Sequence, residues 1–397
     1  MKKKVSVGML ISLVAIACAI TYVVTITVST NMFNRLIGGV NEREEIYSKI
    51  QEIDSYVRSA SYYDIDEETL LSGIVNGYIG GLADSGAQYL TSAQAFKKLQ
   101  VENGTLISVG FEAQKEESGY IVVSQIYPNS PASDLNIQVG DVITAVDGSN
   151  VLEMGAENAI NALEGDESTN VRLSLQRNGE TISVTATRRS FTIRSVTSTM
   201  VKGYGYIRIN AFNGETDSQF ISELQNLQAG GVLGYVIDVR SCTGTFDPLP
   251  DMLSRFISGQ LIANARYKDG SVAKFAETLG EADVKVPIVV IVNENTVGAA
   301  ELFAVSLRDF AQAKVVGKQT AGKGTVTETK NLSDGTAIVI TTAELIPAVS
   351  NTLSGGIKVD FSVDIYNAPD YSPTDVSSTD PQISKAFEVL EGMKTAQ

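Results

Sequence analysis

The hydrophobic pattern changes character several times along the chain. From Val5 to Thr30 the run VSVGMLISLVAIACAITYVVTITVST carries no charge. A helix of about 20 apolar residues spans a bilayer's hydrocarbon core, so residues 1–30 predict a transmembrane signal-anchor. Lys2, Lys3 and Lys4 precede the run. A basic flank predicts an N-in orientation, single-pass in the cell membrane, with the bulk of the chain extracytoplasmic. Ala15-Ile16-Ala17 also resembles a signal-peptide cleavage site, which would make the chain secreted. Cleavage there would leave the apolar end CAITYVVTITV, which favours the uncleaved anchor.

Residues 41–100 predict a helical region. Ile46, Ile50, Ile53 and Val57 recur at helical spacing with charges between them. DEETLLSGIVNGYIGGL predicts a second helix, capped near Asp64 or Asp66 and stopped by Gly80-Gly81. Two roles are open for it, a base packed on the rest of the chain or a dimerisation arm. Over residues 106–189 the period shortens to two: Val171, Leu173 and Leu175 alternate with polar residues, as do Ile182 and Val184. This predicts a β-rich module with one or two helices, one of them through MGAENAINALEG. Residues 190–363 alternate strand and helix. LGYVIDVR and PIVVIVN are continuous apolar runs, the mark of strands buried on both faces of a parallel sheet. Ligand sites in such sheets gather beyond the carboxyl ends of the strands, here Arg240–Thr245 and Asn293–Gly298. Residues 364–397 predict a surface tail with a short helix near Ile383–Met393. The fold class is therefore mixed α/β and β, in several domains.

Composition removes several functions. Of 397 residues, 43% are hydrophobic and 19% charged, enough for a packed core. The net charge of −15 disfavours nucleic acid as a partner. With no histidine, Ser-His-Asp and Cys-His catalysis and His-ligated metals are excluded. The two cysteines, Cys18 and Cys242, do not predict a structural disulfide, because Cys18 sits in the apolar run. Nothing calls for a cofactor.

Beyond residue 105 the motifs occur in a recognisable order. SVGFEA is followed by IYPNSPASDLNIQVGDVITAVDGSNV, then GYIRINAF, YVIDVRSCTG, VNENTVGAAELFA, VVGKQTAGKGTV, LSDGTAIVIT and GGIKVD. From about Tyr78 to Asp360 the chain resembles the C-terminal processing (tail-specific) peptidases, serine family S41. The resemblance implies a PDZ domain ahead of a ClpP/crotonase-like αβ protease core. It also implies that the backbone of Val109, Gly110 and Phe111 cradles a peptide's terminal carboxylate while the peptide adds as a strand to the sheet edge.

The family's chemistry is a serine nucleophile with a lysine general base, commonly oriented by a glutamine. A lysine acts as a base only when burial lowers its pKa. The resemblance places that lysine at Lys323, between Gly322 and Gly324. On residue type alone, a lysine between glycines reads as a solvated loop cation. The spacing from Glu301 to Lys323 matches the family, which puts the nucleophile position on Gly298, the orienting glutamine on Thr327 and a later serine on Ala300. The oxyanion region falls on Gly244 and Ala299. The strand end DVRSCTGT departs as well, with Cys242 in place of an asparagine and Thr245 in place of a glycine. Glycine has no oxygen with which to form an acyl-enzyme. Thr296, Thr325, Thr327 and Cys242 are the residues from which a displaced nucleophile would have to come.

The expectation is a membrane-anchored S41 relative that binds peptide tails or extended segments and has lost peptidase activity, serving as a scaffold, decoy or regulator. Its partners would be a polypeptide with a free C-terminus, the membrane, and a second copy of itself or an active homologue. An active Ser/Lys endopeptidase with a displaced nucleophile is the alternative. A purely structural membrane-tethered assembly protein is the third reading.

Overall fold

The computed structural model describes residues 7–364 and 380–394. Lys2, Lys3 and Lys4 lie outside them, as does most of the predicted surface tail. The chain divides into two compact units, Met1–Gly77 and Tyr78–Gln397.

In the first unit, α1 (Val7–Ala60) is one unbroken helix. The sequence predicts a membrane span and a separate helical region with a gap between them. Gly38-Gly39 is the only break signal in that gap, and glycine costs a helix only about 1 kcal/mol each relative to alanine. Among the described residues, no helix is long and apolar enough to cross a membrane, so the expected spanning helix is not found there. α2 (Glu67–Gly80) starts as predicted at Asp66, whose Oδ1 accepts from Glu68 N at 3.0 Å and Thr69 N at 3.2 Å. Arg58 grips the Glu67 carboxylate with both guanidinium nitrogens.

The second unit begins with β1 (Gln88–Leu90) and α3 (Ser92–Glu102). Residues 88–90, expected to be helical, are a strand because they hydrogen-bond to Ala337–Val339 of the core. Sheet pairing of this kind overrides local propensity. The β-module follows with β2 (Thr105–Ser108), β3 (Phe111–Lys115), β4 (Ile121–Ile126), α4 (Pro131–Asp134), β5 (Val142–Val146), β6 (Ser149–Asn150), α5 (Val151–Met154), α6 (Ala156–Leu163), β7 (Asn170–Arg177), β8 (Glu180–Thr187) and β9 (Arg189–Thr192). Its sheet runs β3-β4-β5-β7-β8, with β6 on β5. Val171, Leu173 and Leu175 all point into its core, as the alternation predicts. The segment MGAENAINALEG forms α6, which Gly155 separates from the short α5 before it. Arg188 closes the end of α6 by donating to Ala162 O at 2.8 Å and Leu163 O at 2.9 Å.

The core comprises β10 (Val196–Val201), β11 (Tyr204–Ile209), α7 (Thr216–Ala229), β12 (Tyr235–Asp238), α8 (Leu249–Ser254), β13 (Leu261–Tyr267), β14 (Val272–Glu277), β15 (Ile288–Val292), α9 (Ala299–Ala311), β16 (Lys314–Gly317), β17 (Thr325–Asn331), β18 (Ala337–Pro347), β19 (Phe361–Ser362) and α10 (Pro381–Lys394). Its main sheet has the order β10-β11-β12-β15-β16-β19 and is parallel apart from β10. One face buries Phe220, Leu224 and Phe303 from α7 and α9. The other buries Ile383, Ala386 and Leu390 from α10 against Tyr206, Val236 and Ile291. Helices on both faces explain why β12 and β15 are apolar at nearly every position. A second sheet joins β17 and β1 to β18, and β18 to β13 and β14.

Where β12 ends, polar groups are buried rather than exposed. Asp238 accepts from Arg208 at 2.8 Å, from Arg240 at 2.6 Å and from the Tyr206 hydroxyl at 2.7 Å. Arg240 also donates to Asp380 at 2.8 Å and Gln382 at 2.9 Å, which tethers the start of α10. Losing one partner of a buried charge leaves the other uncompensated. Asp380→Ala is therefore expected to cost about 3–5 kcal/mol in urea unfolding. Asp134→Ala, which removes the exposed pair with Arg189, is expected to cost under about 1 kcal/mol.

Candidate active site

The site lies beyond the carboxyl ends of β12 and β15, where the sheet order leads the sequence to expect it. Past β15, Asn293 organises the turn. Its Oδ1 accepts from Ser241 N at 2.7 Å, and its amide donates to the Ser241 hydroxyl at 2.9 Å. Val297 N donates to Cys242 O at 3.0 Å. Residues 241–244 and 297–299 are thus held side by side. Gly244 passes so close to Phe212 that a Cβ would lie 1.9 Å from its carbonyl oxygen. This places the Gly244 side of the predicted oxyanion region beside the turn that leads to Ala299, itself buried at the first position of α9.

Gly298 caps α9 with φ 60° and ψ −106°. This is a sharp strand-to-helix elbow that glycine adopts freely and an L side chain only with strain, the kind of turn that elsewhere raises a nucleophilic serine clear of the backbone. The elbow is present and the hydroxyl is not. A Cβ added to Gly298 would have only Phe246 nearby, at 3.8 Å, an ordinary contact.

One turn into α9, the Glu301 carboxylate is fully buried. Its Oε2 accepts from Gly298 N and Lys323 N, each at 3.0 Å. Its Oε1 accepts from Gly322 N at 2.7 Å and the Thr320 hydroxyl at 2.5 Å. Thr320 Oγ1 in turn accepts from Ile357 N at 2.8 Å. Glu301 therefore ties the elbow to the lysine loop, and Thr320 extends the tie to the segment before β19. On sequence grounds Glu301 marks only one end of a spacing. The signal for its role is its position three residues after the N-cap, where a glutamate reaches back to the helix start. Thr320 gives no comparable sequence signal.

The structure corrects the expected burial of Lys323: the side chain is exposed, because Gly322 and Gly324 carry it on a loop with only its amide turned inward. Thr327 is exposed too, at a bulge in the β17–β18 pairing. Beside it packs the Asp84–Gly86 turn; a Cβ on Gly86 would lie 3.3 Å from Thr327 Cγ2. Asp84 accepts from Thr341 N and the Thr341 hydroxyl at 2.8 Å and from Gly86 N at 2.9 Å. These bonds, Thr341 foremost, hold its carboxyl below the usual range, and the charge of Lys323 adds to the effect.

Two hydroxyl or thiol groups near the elbow are engaged or inert. The Thr296 hydroxyl donates to Val239 O at 3.1 Å beneath the turn, and the residue is fully buried. Cys242 is also fully buried, and burial pushes its thiol up to about 12.

In the β-module, Val109 and Phe111 are buried and Gly110 lies between them with φ 91°. β3 is the edge of its sheet, and α6 packs beside it. Phe111 pairs with Ile126, and Tyr127 N donates to Gly110 O. That register turns the Phe111 amide toward the open edge, where an added strand would bond.

Comparisons with known proteins agree with this architecture. The model of Peptidase family S41 matches residues 203–363, and that of the PDZ domain matches residues 122–177. The chain carries a PDZ domain ahead of a peptidase family S41 domain. It is similar to "Carboxy-terminal processing protease CtpA" of Bacillus subtilis, 28% identical over 356 residues, spanning 88% of this chain and 75% of that protein. It is also similar to "Probable CtpA-like serine protease" of Staphylococcus aureus, 27% identical over 363 residues, with 90% and 72% covered. Among solved structures, a putative S41 protease from Bacteroides fragilis shares the fold, with a TM-score of 0.50 at 18% identity over 85% of this chain and 92% of that one.

Two measurements check this geometry. Glu301→Gln offers one acceptor oxygen where four donors converge and turns an NH2 group toward the rest. It is expected to lose roughly 3 kcal/mol or more in urea unfolding, since bonds to a buried charge contribute about 1.5–3 kcal/mol each. Cys242 should resist maleimide at pH 7 in the folded chain and react once urea unfolds it, because only the thiolate attacks.

Proposed function

We propose that this chain is a peptide-binding S41 protein without peptidase activity. The observation that carries the reading is Gly298: a nucleophile elbow with no side-chain oxygen. Loss of a nucleophile leaves at most ~10³–10⁴-fold acceleration over water from binding and the oxyanion hole. Three of the candidate replacements are poorly suited. The Thr296 hydroxyl is spent on Val239 O, Cys242 is buried with a thiol held protonated, and Thr327 is exposed on a strand. The exposure of Lys323 points the same way, because burial is what prepares a lysine to act as a base.

What remains is recognition. The free edge of β3, the Phe111 amide and the neighbouring α6 suit capture of a polypeptide with a free C-terminus. The uncharged run Val5–Thr30 behind three lysines supports placement at a membrane, N-terminus inside, with the PDZ and core units extracytoplasmic. Such a protein would act as a scaffold, decoy or regulator, alone as a homodimer or with an active homologue.

The names of the similar proteins favour a second reading, an active Ser/Lys-type endopeptidase with a displaced nucleophile. The two part in one assay. The native chain, incubated with an unstructured tailed protein, is expected to give no cleavage and no adduct with a fluorophosphonate probe. Cleavage that disappears in Lys323→Ala would overturn the proposal. The elbow is tested separately: Gly298→Ser should fold, since the added Cβ meets only an ordinary contact. It should be less stable by about 1–3 kcal/mol, because a side chain at positive φ is strained.

A further inference from the structure

The carboxylate cradle of the PDZ module already has an occupant. Ser108 ends β2, opposite Arg189 of β9. Its hydroxyl oxygen accepts from Gly110 N at 2.9 Å. The opposite side of the same residue is fixed. Gly110 O accepts from the Ser130 hydroxyl at 3.0 Å and Tyr127 N at 2.9 Å, and Val109 O accepts from Ala132 N at 2.9 Å. A Cβ on Gly110 would lie 2.1 Å from Ser130 Cβ, so the loop has no room to shift that way. A terminal carboxylate held in a backbone nest needs successive outward N–H groups. Here the Phe111 amide faces the open edge, while the Gly110 amide is taken by an oxygen from the chain itself.

We propose that Ser108 is a built-in competitor for the tail carboxylate. This rests on the tail-binding reading above and adds to it a self-occupied resting state. A free C-terminus engages both amides only when the Ser108 side chain rotates to another rotamer. The cradle's backbone stays where it is, held by Ser130, Tyr127 and Ala132. The apparent affinity then equals the intrinsic affinity scaled by the fraction of molecules in which Ser108 has left. A backbone-to-hydroxyl bond of ordinary net strength makes that factor about two- to tenfold. The competition concerns carboxylate oxygens alone. A peptide lacking a free C-terminus adds to β3 without reaching the Gly110 amide.

The test is fluorescence anisotropy of the full chain with a fluorescein-labelled decapeptide ending in valine, compared with its amidated twin. Ser108→Ala and Ser108→Val are expected to bind the free acid about two- to tenfold more tightly than the native chain, with the amide unchanged. Ser108→Thr, which keeps the hydroxyl on the shape of valine, is expected to bind as the native chain does. The proposal is overturned if both hydroxyl-free variants bind the acid no more tightly, or if they tighten the amide equally. If the native chain and every Ser108 variant bind neither peptide, tail binding itself fails, and this inference with it.

Discussion

A single buried carboxylate organises the site. Glu301 has no solvent to hydrate it, so its charge is tolerable only because four donors point at it. Those donors come from the elbow, from Thr320 and from the two residues that open the lysine loop. Each separate segment has poor local reasons to adopt its conformation. The elbow turns at a glycine and the loop is rich in glycine, which loses the most backbone freedom on ordering. The shared acceptor offsets both costs at once. It also explains why the loop is ordered while the Lys323 side chain is not buried: the carboxylate binds the amide and leaves the ammonium to solvent.

The second constraint is the polar plug under β12. Parallel strands covered on both faces leave no solvated edge for Asp238, so Arg208, Arg240 and Tyr206 surround it. Arg240 carries the network on to Asp380 and Gln382 at the start of α10. The residue that precedes the Ser241–Gly244 loop is thereby fixed by a helix 140 positions further on. The matched peptidase domain ends at residue 363, so a helix beyond it completes the footing of the site. Buried ion networks of this kind are weak evidence for net stability, but they penalise any other arrangement of their partners.

How much of this was legible depended on whether the cause was local. The alternation at Val171, Leu173 and Leu175 reports a strand with one buried face, and the apolar run Ile288–Val292 reports one buried on both. Both signals live within a few residues, and both correspond to the strands observed. Asp66 as a cap is local too. The motif spacing located the elbow and the lysine loop, and a glycine at the elbow was visible at once. Three features were not legible. Residues 88–90 are a strand only because β18 lies beside them, and no local pattern encodes a neighbour 247 to 251 positions away. The continuity of α1 depends on a modest glycine cost being outweighed by the residues around it. Burial of Lys323 was expected from the chemistry the family performs, whereas its exposure follows from which atoms of the loop face Glu301.

That last discrepancy bears on what the site retains. A working serine–lysine pair constrains two side chains, and the scaffold beneath constrains main-chain atoms. Here the main-chain features persist: the elbow at Gly298, the close approach of Gly244 to Phe212, and the amides gathered on Glu301. The side chains that the resemblance asks for are absent from the positions it assigns, 298, 327 and 242. On the proposed reading there is no hydroxyl at 298 to deprotonate, and the Lys323 side chain lies exposed to solvent. The elbow's positive φ falls on a glycine, which adopts it without strain. The backbone survives because it is also the fold, through the helix cap of α9 and the footing of β12. On the proposed reading, a framework held by folding keeps the shape of an enzyme while its remaining contacts serve binding.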